Sequence, residues 1–447
     1  MDLLTLGGIG LVCCGLAVAA ATPTAAAGTS HKTLYVSKLG DNSDGSSWAK
    51  AFTTVQAALS AIPDATGGYR VIVRPDTYLE ANLAPAHPGA PGAYNELIGD
   101  VEGHFGGGRR GRVILDASDP GQQGFKSYDW WGNIRAYSKG WSPEHTEETF
   151  SAIVWDRWRL RNLYATGGDG GLFFDTTNRT EPFSVVVEDC VSIGRAFGGG
   201  VANCLSRPDE PILFRRCWLG ALDWWGDTAA AYTRVENHER PTRPDVFFED
   251  CTLVSPQCAL KGSNFGFTTF TRVKLTRCKL IALNFSQPQG TPTDGIIQSV
   301  QHGRYLHVDL EDSTLMGYKV FGVVVDKETV DELGYTTQGD VRAYVQFQQA
   351  VPKGMHRLPG WPADLFDSMA PPPAPAPMVA LGPRERLRDD LCELSPFIWK
   401  GRLCHLECVR PAHGGTREEY YLLLSDAETG KELGRLAEGY GLASILV

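Results

Sequence analysis

Apolar and polar positions alternate along this chain in a short phrase that returns at long, regular intervals. Five copies read Val187-Glu188-Asp189-Cys190, Phe214-Arg215-Arg216-Cys217, Phe248-Glu249-Asp250-Cys251, Leu275-Thr276-Arg277-Cys278 and Leu310-Glu311-Asp312-Ser313, and an earlier one, Leu160-Arg161-Asn162-Leu163, ends on Leu. Successive copies lie 27, 27, 34, 27 and 35 residues apart. That period is far too long for heptads. It suits a coil of three short strands and three turns, at roughly 3.3 Å per strand residue. In each copy the apolar residue and the small residue after the polar pair point inward, while the polar residue before the Cys occupies a turn. Cys190, Cys217, Cys251 and Cys278 then stack as an inward ladder of small core side chains. A zinc site does not fit, because the repeat contains no C-x-x-C pair.

The stretch ahead of the repeat predicts how the coil begins. Thr53 or Thr54 can cap a helix that carries Val55, Ala58, Leu59 and Ile62 at i, i+3, i+4 and i+7, and an amphipathic cap covers the first rung of a solenoid. Val71-Ile72-Val73 followed by Pro75-Asp76-Thr77-Tyr78 reads as a strand and its turn. The repeated rung, together with the opening Leu34-Tyr35-Val36-Ser37 and the Gly40-Asp41-Asn42 to Phe52 stretch, resembles the right-handed parallel β-helix, the pectin-lyase-like superfamily of secreted polysaccharide lyases and glycoside hydrolases. The resemblance covers about residues 32–350. It implies an all-β solenoid over residues 32–368 that acts on an extracellular polysaccharide.

The remaining segments are read separately. Residues 1–28, with an apolar run and Ala25-Ala26-Ala27 before Gly28, are expected to be a secretory signal peptide. Asp2 and the lack of a basic residue before the run depart from that pattern, so a retained anchor is the alternative. With the signal removed, the protein is expected to be secreted or periplasmic, with no stable membrane insertion. Residues 369–380 form a Pro-rich linker, since five prolines between Pro371 and Pro377 favour an extended chain. Residues 381–447 alternate apolar runs with turn clusters and predict a small β-module. Its Ser395-Pro396 and Lys400-Gly401-Arg402-Leu403 resemble the first blade of five-bladed propeller glycosidases.

Composition narrows the function classes. The 447 residues include 50 Gly and 27 Pro, with 21% charged and 10% aromatic side chains, which excludes a coiled coil and a disordered chain. A net charge of -10 argues against nucleic-acid binding, where Lys and Arg must neutralise phosphates. Setting aside Cys13 and Cys14 leaves nine of the 11 cysteines, an odd number that argues against a dense disulfide framework. A monomer is expected. No Walker loop, H-E-x-x-H or G-x-S-x-G occurs, and no D-x-D-x-D loop for Ca²⁺.

The chemistry is expected on the strands that precede the linking loops, at Gly171–Asp175, Val201–Cys204, Ala229–Glu236, Ala259–Gly262 and Gly295–Gln298. If Leu260 points inward, Lys261 points outward. The third repeat adds Asp223-Trp224-Trp225-Gly226-Asp227 and Arg234-Val235-Glu236-Asn237-His238-Glu239-Arg240, and Asp129-Trp130-Trp131-Gly132 echoes the first of these. Trp130, Trp131, Trp224 and Trp225 are candidate platforms for sugar rings, with Arg240 as a further substrate contact. Two mechanisms remain open. Lys261, Arg234 and His238 suit proton abstraction and charge neutralisation in β-elimination, for which the family resemblance would also admit Ca²⁺; Asp175, Asp227 and Glu236 suit acid–base hydrolysis. No residue set is assigned to a metal. A carbohydrate-binding or surface-adhesion solenoid without catalysis is the reading from a different class.

Overall fold

The computed structural model describes residues 33–118, 155–176, 182–222, 228–263, 270–283, 295–300, 306–323, 334–346, 351–376, 391–399, 402–409 and 420–436. The chain is a right-handed parallel β-helix with a separate antiparallel sheet at its C-terminal side. It divides into two compact units, residues 1–378 and 379–447.

Between Trp158 and Val323, each coil of the solenoid contributes strand to each of three faces. The first face is a 10-stranded parallel sheet that starts with Thr33–Val36 and Arg70–Val73 and ends with Gly334–Gln338. The second and third faces are continuous in one 15-stranded sheet, because Tyr164–Asp175 and Val191–Ser206 run through the corner between them. Trp218–Ala221, Thr252–Ser255 and Lys279–Ala282 extend the second face, and Ala229–Val235, Cys258–Ser263 and Ile297–Val300 extend the third.

The polar residue of the repeated phrase makes the corner between the first and second faces. Asn162, Asp189, Arg216, Asp250, Arg277 and Asp312 all adopt φ between 46 and 58°. A single left-handed residue redirects an extended chain without a loop, at a cost of roughly 1–2 kcal/mol for a residue with a Cβ. Asn and Asp tolerate this conformation, and the two arginines are tied to the coil before them by bidentate pairs. The small residue that follows turns inward. The thiol of Cys217 donates to the carbonyls of Arg215 and Val187, that of Cys251 to Glu249 and Phe214, and that of Cys278 to Thr276 and Phe248, so each bonds once within its own coil and once to the coil before. Ser313 repeats the contact with its hydroxyl, at 2.8 Å to Glu311 O. Burial pushes the Cys190 and Cys251 thiols well above their ordinary range. The ladder is therefore a hydrogen-bonded core element.

Behind the ladder, Val187, Phe214, Phe248, Leu275 and Leu310 stack inward, with the Phe214 and Phe248 rings 5.2 Å apart and nearly parallel. The outer side of the same face is an ion ladder: Arg70–Glu96 at 2.9 Å, Arg215–Glu188 at 3.2 Å, Arg215–Glu249 at 2.7 Å and Lys274–Glu311 at 2.7 Å. Charge on this face is neutralised within the protein.

The ends and the second face are covered. Val55–Ser60 forms the capping helix, with Thr54 as its N-cap accepting from the Ala57 N–H and with Val55, Ala58 and Leu59 buried. Ile62 joins them in the core. Outside the second face, Ile193, Trp218, Val254, Ile281 and Met316 form an apolar stripe that packs against Leu365 of the short helix Ala363–Asp367, with Trp361 and Met369 alongside. The segment then crosses the coils in reverse order. Ser368 accepts from Trp218 Nε1 at 2.9 Å and from Lys279 Nζ at 2.7 Å, and Pro372 O accepts from Arg112. The first residues of the Pro-rich stretch are thus anchored on the solenoid. In the second unit, Leu391–Trp399, Arg402–Val409, Tyr421–Asp426 and Glu432–Leu436 form an antiparallel meander in sequential order.

Candidate functional site

The third face collects the charged candidates. Parallel register aligns Phe173, Gly200, Tyr232, Lys261 and Gln298 in one row across it. Leu172, Phe174, Val201, Ala231 and Leu260 face the core, so alternation sends Phe173, Asp175, Tyr232, Arg234 and Lys261 to the outer side. There Phe173, Phe197 and Tyr232 form an aromatic cluster separate from the main core, with Phe173 and Tyr232 meeting edge to face at 5.7 Å. Gly200 lies between those two residues in register and, with φ 127°, leaves room for the Tyr232 backbone. A Cβ at this position would come within 1.9 Å of Tyr232 O.

Two carboxylates stand on this surface in different company. Asp175 ends its strand, and its Oδ1 accepts from Asn203 Nδ2 at 2.7 Å. Thr176, fully buried, bonds its backbone N–H to Ala202 O at 3.0 Å and fixes the chain beside it. Glu236 follows the strand Ala229–Val235; its backbone N–H bonds Cys204 O at 2.8 Å and its carboxylate pairs with Arg234 Nε at 2.6 Å. Both ion-pair partners are largely shielded, with side chains 14% and 17% exposed. The strand carrying Asn203 runs between the two carboxylates, so they lie two strand spacings apart, with Asp175 level with Ala202 and Glu236 just beyond the Cys204–Val235 pair. Burial first, and then the Asp245, Glu236 and Asp175 carboxylates, push the Cys204 thiol well up.

Asp245 closes the turn that leads back to the first face. It is buried and accepts from Ser206 Oγ at 2.6 Å, from Asn237 Nδ2 at 2.9 Å and from the Arg272 backbone N–H at 2.9 Å. Burial raises its carboxyl above the ordinary range, and these donors oppose the shift only in part. Its contacts bind three successive coils together.

The other candidates separate by environment. Lys261 points outward as alternation requires, but it is fully buried beside Tyr232 and Gln298, whereas the other proton-abstraction candidate, His238, is exposed. His238 and Arg240 are exposed on the turn after Glu236, and Arg240 lies over the Phe270 ring at 5.7 Å. Asp227, Trp224, Trp225, Trp130 and Trp131 lie outside the described residues. Among the described residues, no group of three or more His, Cys, Asp or Glu side chains converges to hold a metal ion. A pocket of about 730 Å³ at the C-terminal end, lined by Gln346, Arg357, Trp361 and Phe366 among others, contains none of the candidates.

Sequence reading missed Asn203. Its signal was present, because Asn203-Cys204 repeats the polar-Cys pair that makes each corner of the solenoid, and Asn203 has the same left-handed backbone, φ 58°.

The fold and this surface define a parallel β-helix protein whose outer third face carries two carboxylates, a guanidinium and an aromatic cluster. Compared by sequence, the chain matches no family model and no curated protein. Among solved structures, it is similar to a pectin methylesterase from carrot at 13% identity and a TM-score of 0.40, over 75% of this chain and 90% of that one.

Proposed function

We propose that the protein acts outside the cytoplasm on a polysaccharide and cleaves its glycosidic linkages by hydrolysis at the outer surface of the third face. The observation that carries this reading is the pair Asp175 and Glu236, which flank one intervening strand and have different partners. Hydrolysis needs one carboxyl protonated and one ionised. Glu236, paired with the Arg234 guanidinium, is the carboxylate assigned to activate water. Asp175, held through Oδ1 by a neutral amide and with no guanidinium among the partners that are described for it, is the carboxyl assigned to carry a proton to the leaving oxygen. With a whole strand between them, the two residues fit the wider carboxyl separation of inversion better than the roughly 5 Å pair of a retaining enzyme.

β-Elimination by Lys261 and Arg234 has weaker support, since Lys261 is fully enclosed and Arg234 is committed to Glu236. The test is incubation with a panel of polysaccharides, following reducing ends together with the ultraviolet absorbance of unsaturated products. New reducing ends without that absorbance indicate hydrolysis, both signals indicate elimination, and binding without either indicates a non-catalytic solenoid.

A further inference from the structure

The segment that follows the last coil has features that covering the second face does not require. Leu365 is the buried residue of the short helix Ala363–Asp367. Its neighbour Phe366 stays 48% exposed, where a polar side chain would cover the stripe equally well. The Phe366 ring instead meets Trp361, with centroids 5.9 Å apart and planes at 51°. Both residues line the cavity of about 730 Å³, together with Val345, Gln346, Arg357 and Leu358. Ligand sites have volumes of roughly 300–1,000 Å³ and combine apolar walls with a few polar groups. This cavity fits that description. Its wall is fixed to the strand Arg342–Val345, since the Leu358 N–H bonds Ala343 O at 3.0 Å and Arg357 Nη2 donates to Val345 O at 3.3 Å. Gly360 turns the chain with φ 67°, and Pro359 and Pro362 restrict the backbone on either side. A wall held in shape loses little freedom when a ligand binds.

We propose that this cavity is a second carbohydrate site, which binds a pyranose unit of a polysaccharide apart from the third face. Trp361 and Phe366 offer large apolar area to the C–H face of a pyranose ring. A wholly apolar ligand would strip water from Gln346 and Arg357 and return nothing. Sugar hydroxyls, or a sugar carboxylate at the guanidinium, replace that water with hydrogen bonds. The anchor on Val345 O keeps the guanidinium in a fixed position. The strand Arg342–Val345 pairs with Thr314–Gly317 and so belongs to the second face, whereas Asp175 and Glu236 stand on the third. No step of the proposed hydrolysis takes place in the cavity, and binding there does not depend on it.

The test is calorimetric titration of the full-length chain carrying Glu236→Gln, so that hydrolysis at the third face does not consume the probe. The probes are a hexamer of β-1,4-linked glucose and a hexamer of α-1,4-linked galacturonate. Phe366→Ala, added to that background, removes a ring that lies largely outside the packed core. It is expected to weaken binding by about tenfold or more with the unfolding midpoint unchanged, while Phe366→Tyr keeps the ring and the affinity. Arg357→Gln separates the two kinds of sugar. A loss of about tenfold confined to the galacturonate hexamer assigns a carboxylate to the guanidinium, and a small, equal loss for both assigns a neutral sugar; either result upholds the site. Failure to bind either hexamer, or an affinity that Phe366→Ala leaves unchanged, overturns the inference. Binding that Asp175→Asn abolishes and Phe366→Ala spares puts the probe on the third face, which overturns the second site and leaves the hydrolytic reading standing.

Discussion

Arg216 grips Asp189 of the preceding coil with two parallel bonds, Nε to Oδ1 at 2.6 Å and Nη2 to Oδ2 at 2.7 Å, although both residues have left-handed backbones. Arg277 grips Asp250 in the same way. Strain at each corner is offset by a contact along the solenoid axis, and the two positions are 27 residues apart in each pair.

Because strain and pairing oppose each other at Arg216, its substitutions divide by backbone preference. Arg216→Gly loses an exposed pair of about 0.2–1 kcal/mol but relieves roughly 1 kcal/mol of left-handed strain, so its stability stays near that of the parent. Arg216→Val loses the pair and retains the strain with a β-branched side chain. Urea unfolding is expected to place the Val variant at least about 1 kcal/mol below the Gly variant. Equal midpoints would show that the corner is not strained.

The cysteine ladder is expected to behave as buried structure. Alkylation of the native protein spares Cys190, Cys217, Cys251 and Cys278, because burial hides the thiols and, at Cys190 and Cys251, disfavours the thiolate; unfolding makes them reactive. Cys251→Ser retains a donor to the same carbonyls, as Ser313 does, and costs less than Cys251→Ala, which removes it. Mass spectrometry after labelling and unfolding midpoints check both statements.

Leu365 ties the segment after the last coil to the apolar stripe of the second face and is almost completely buried. Leu365→Ala is expected to cost about 2 kcal/mol or more. Removing residues 361–376 uncovers Trp218, Val254, Ile281 and Met316, so an apolar dye should bind the shortened protein and not the parent. Unchanged dye binding would mean that the stripe is not held covered by this segment.

Two carboxyls give opposite pH signatures. Burial alone would raise Asp309, but bonds from His307, Arg272 and Thr336 outweigh it and hold the carboxyl well below its ordinary range. A depressed folded value contributes stability that is present above the unfolded value, about 3.9, and lost as pH falls toward the folded one. Asp245 is raised, so its contribution is present below about 3.9 and lost as pH rises through its folded value. Unfolding midpoints across pH 2–7 are expected to fall less steeply at the acid end in Asp309→Asn, and to lose less between pH 4 and 7 in Asp245→Asn, each relative to the parent.

The solenoid was legible because its core is periodic: the phrase that ends in Cys190, Cys217, Cys251 and Cys278 reports an inward side chain and a corner at every turn. The N-cap at Thr54 and the buried face of its helix were equally local. The site was only partly legible. Alternation gave the outward direction of Lys261, but whether an outward side chain meets solvent depends on segments distant in sequence, and Lys261 proves enclosed. Asp175 and Glu236 are 61 residues apart and become neighbours through strand register, which the sequence does not state. Asn203 escaped notice because it makes its turn at a bulge, off the 27-residue period.

The most direct test of the central claim is the anomeric configuration of the first product released from a cleaved polysaccharide, read by proton NMR for the parent, Asp175→Asn and Glu236→Gln. The account predicts inverted product from the parent, without unsaturated ends, and a loss of at least a hundredfold in each variant with the fold intact. Unsaturated product, retained configuration, or full activity in either variant would contradict it.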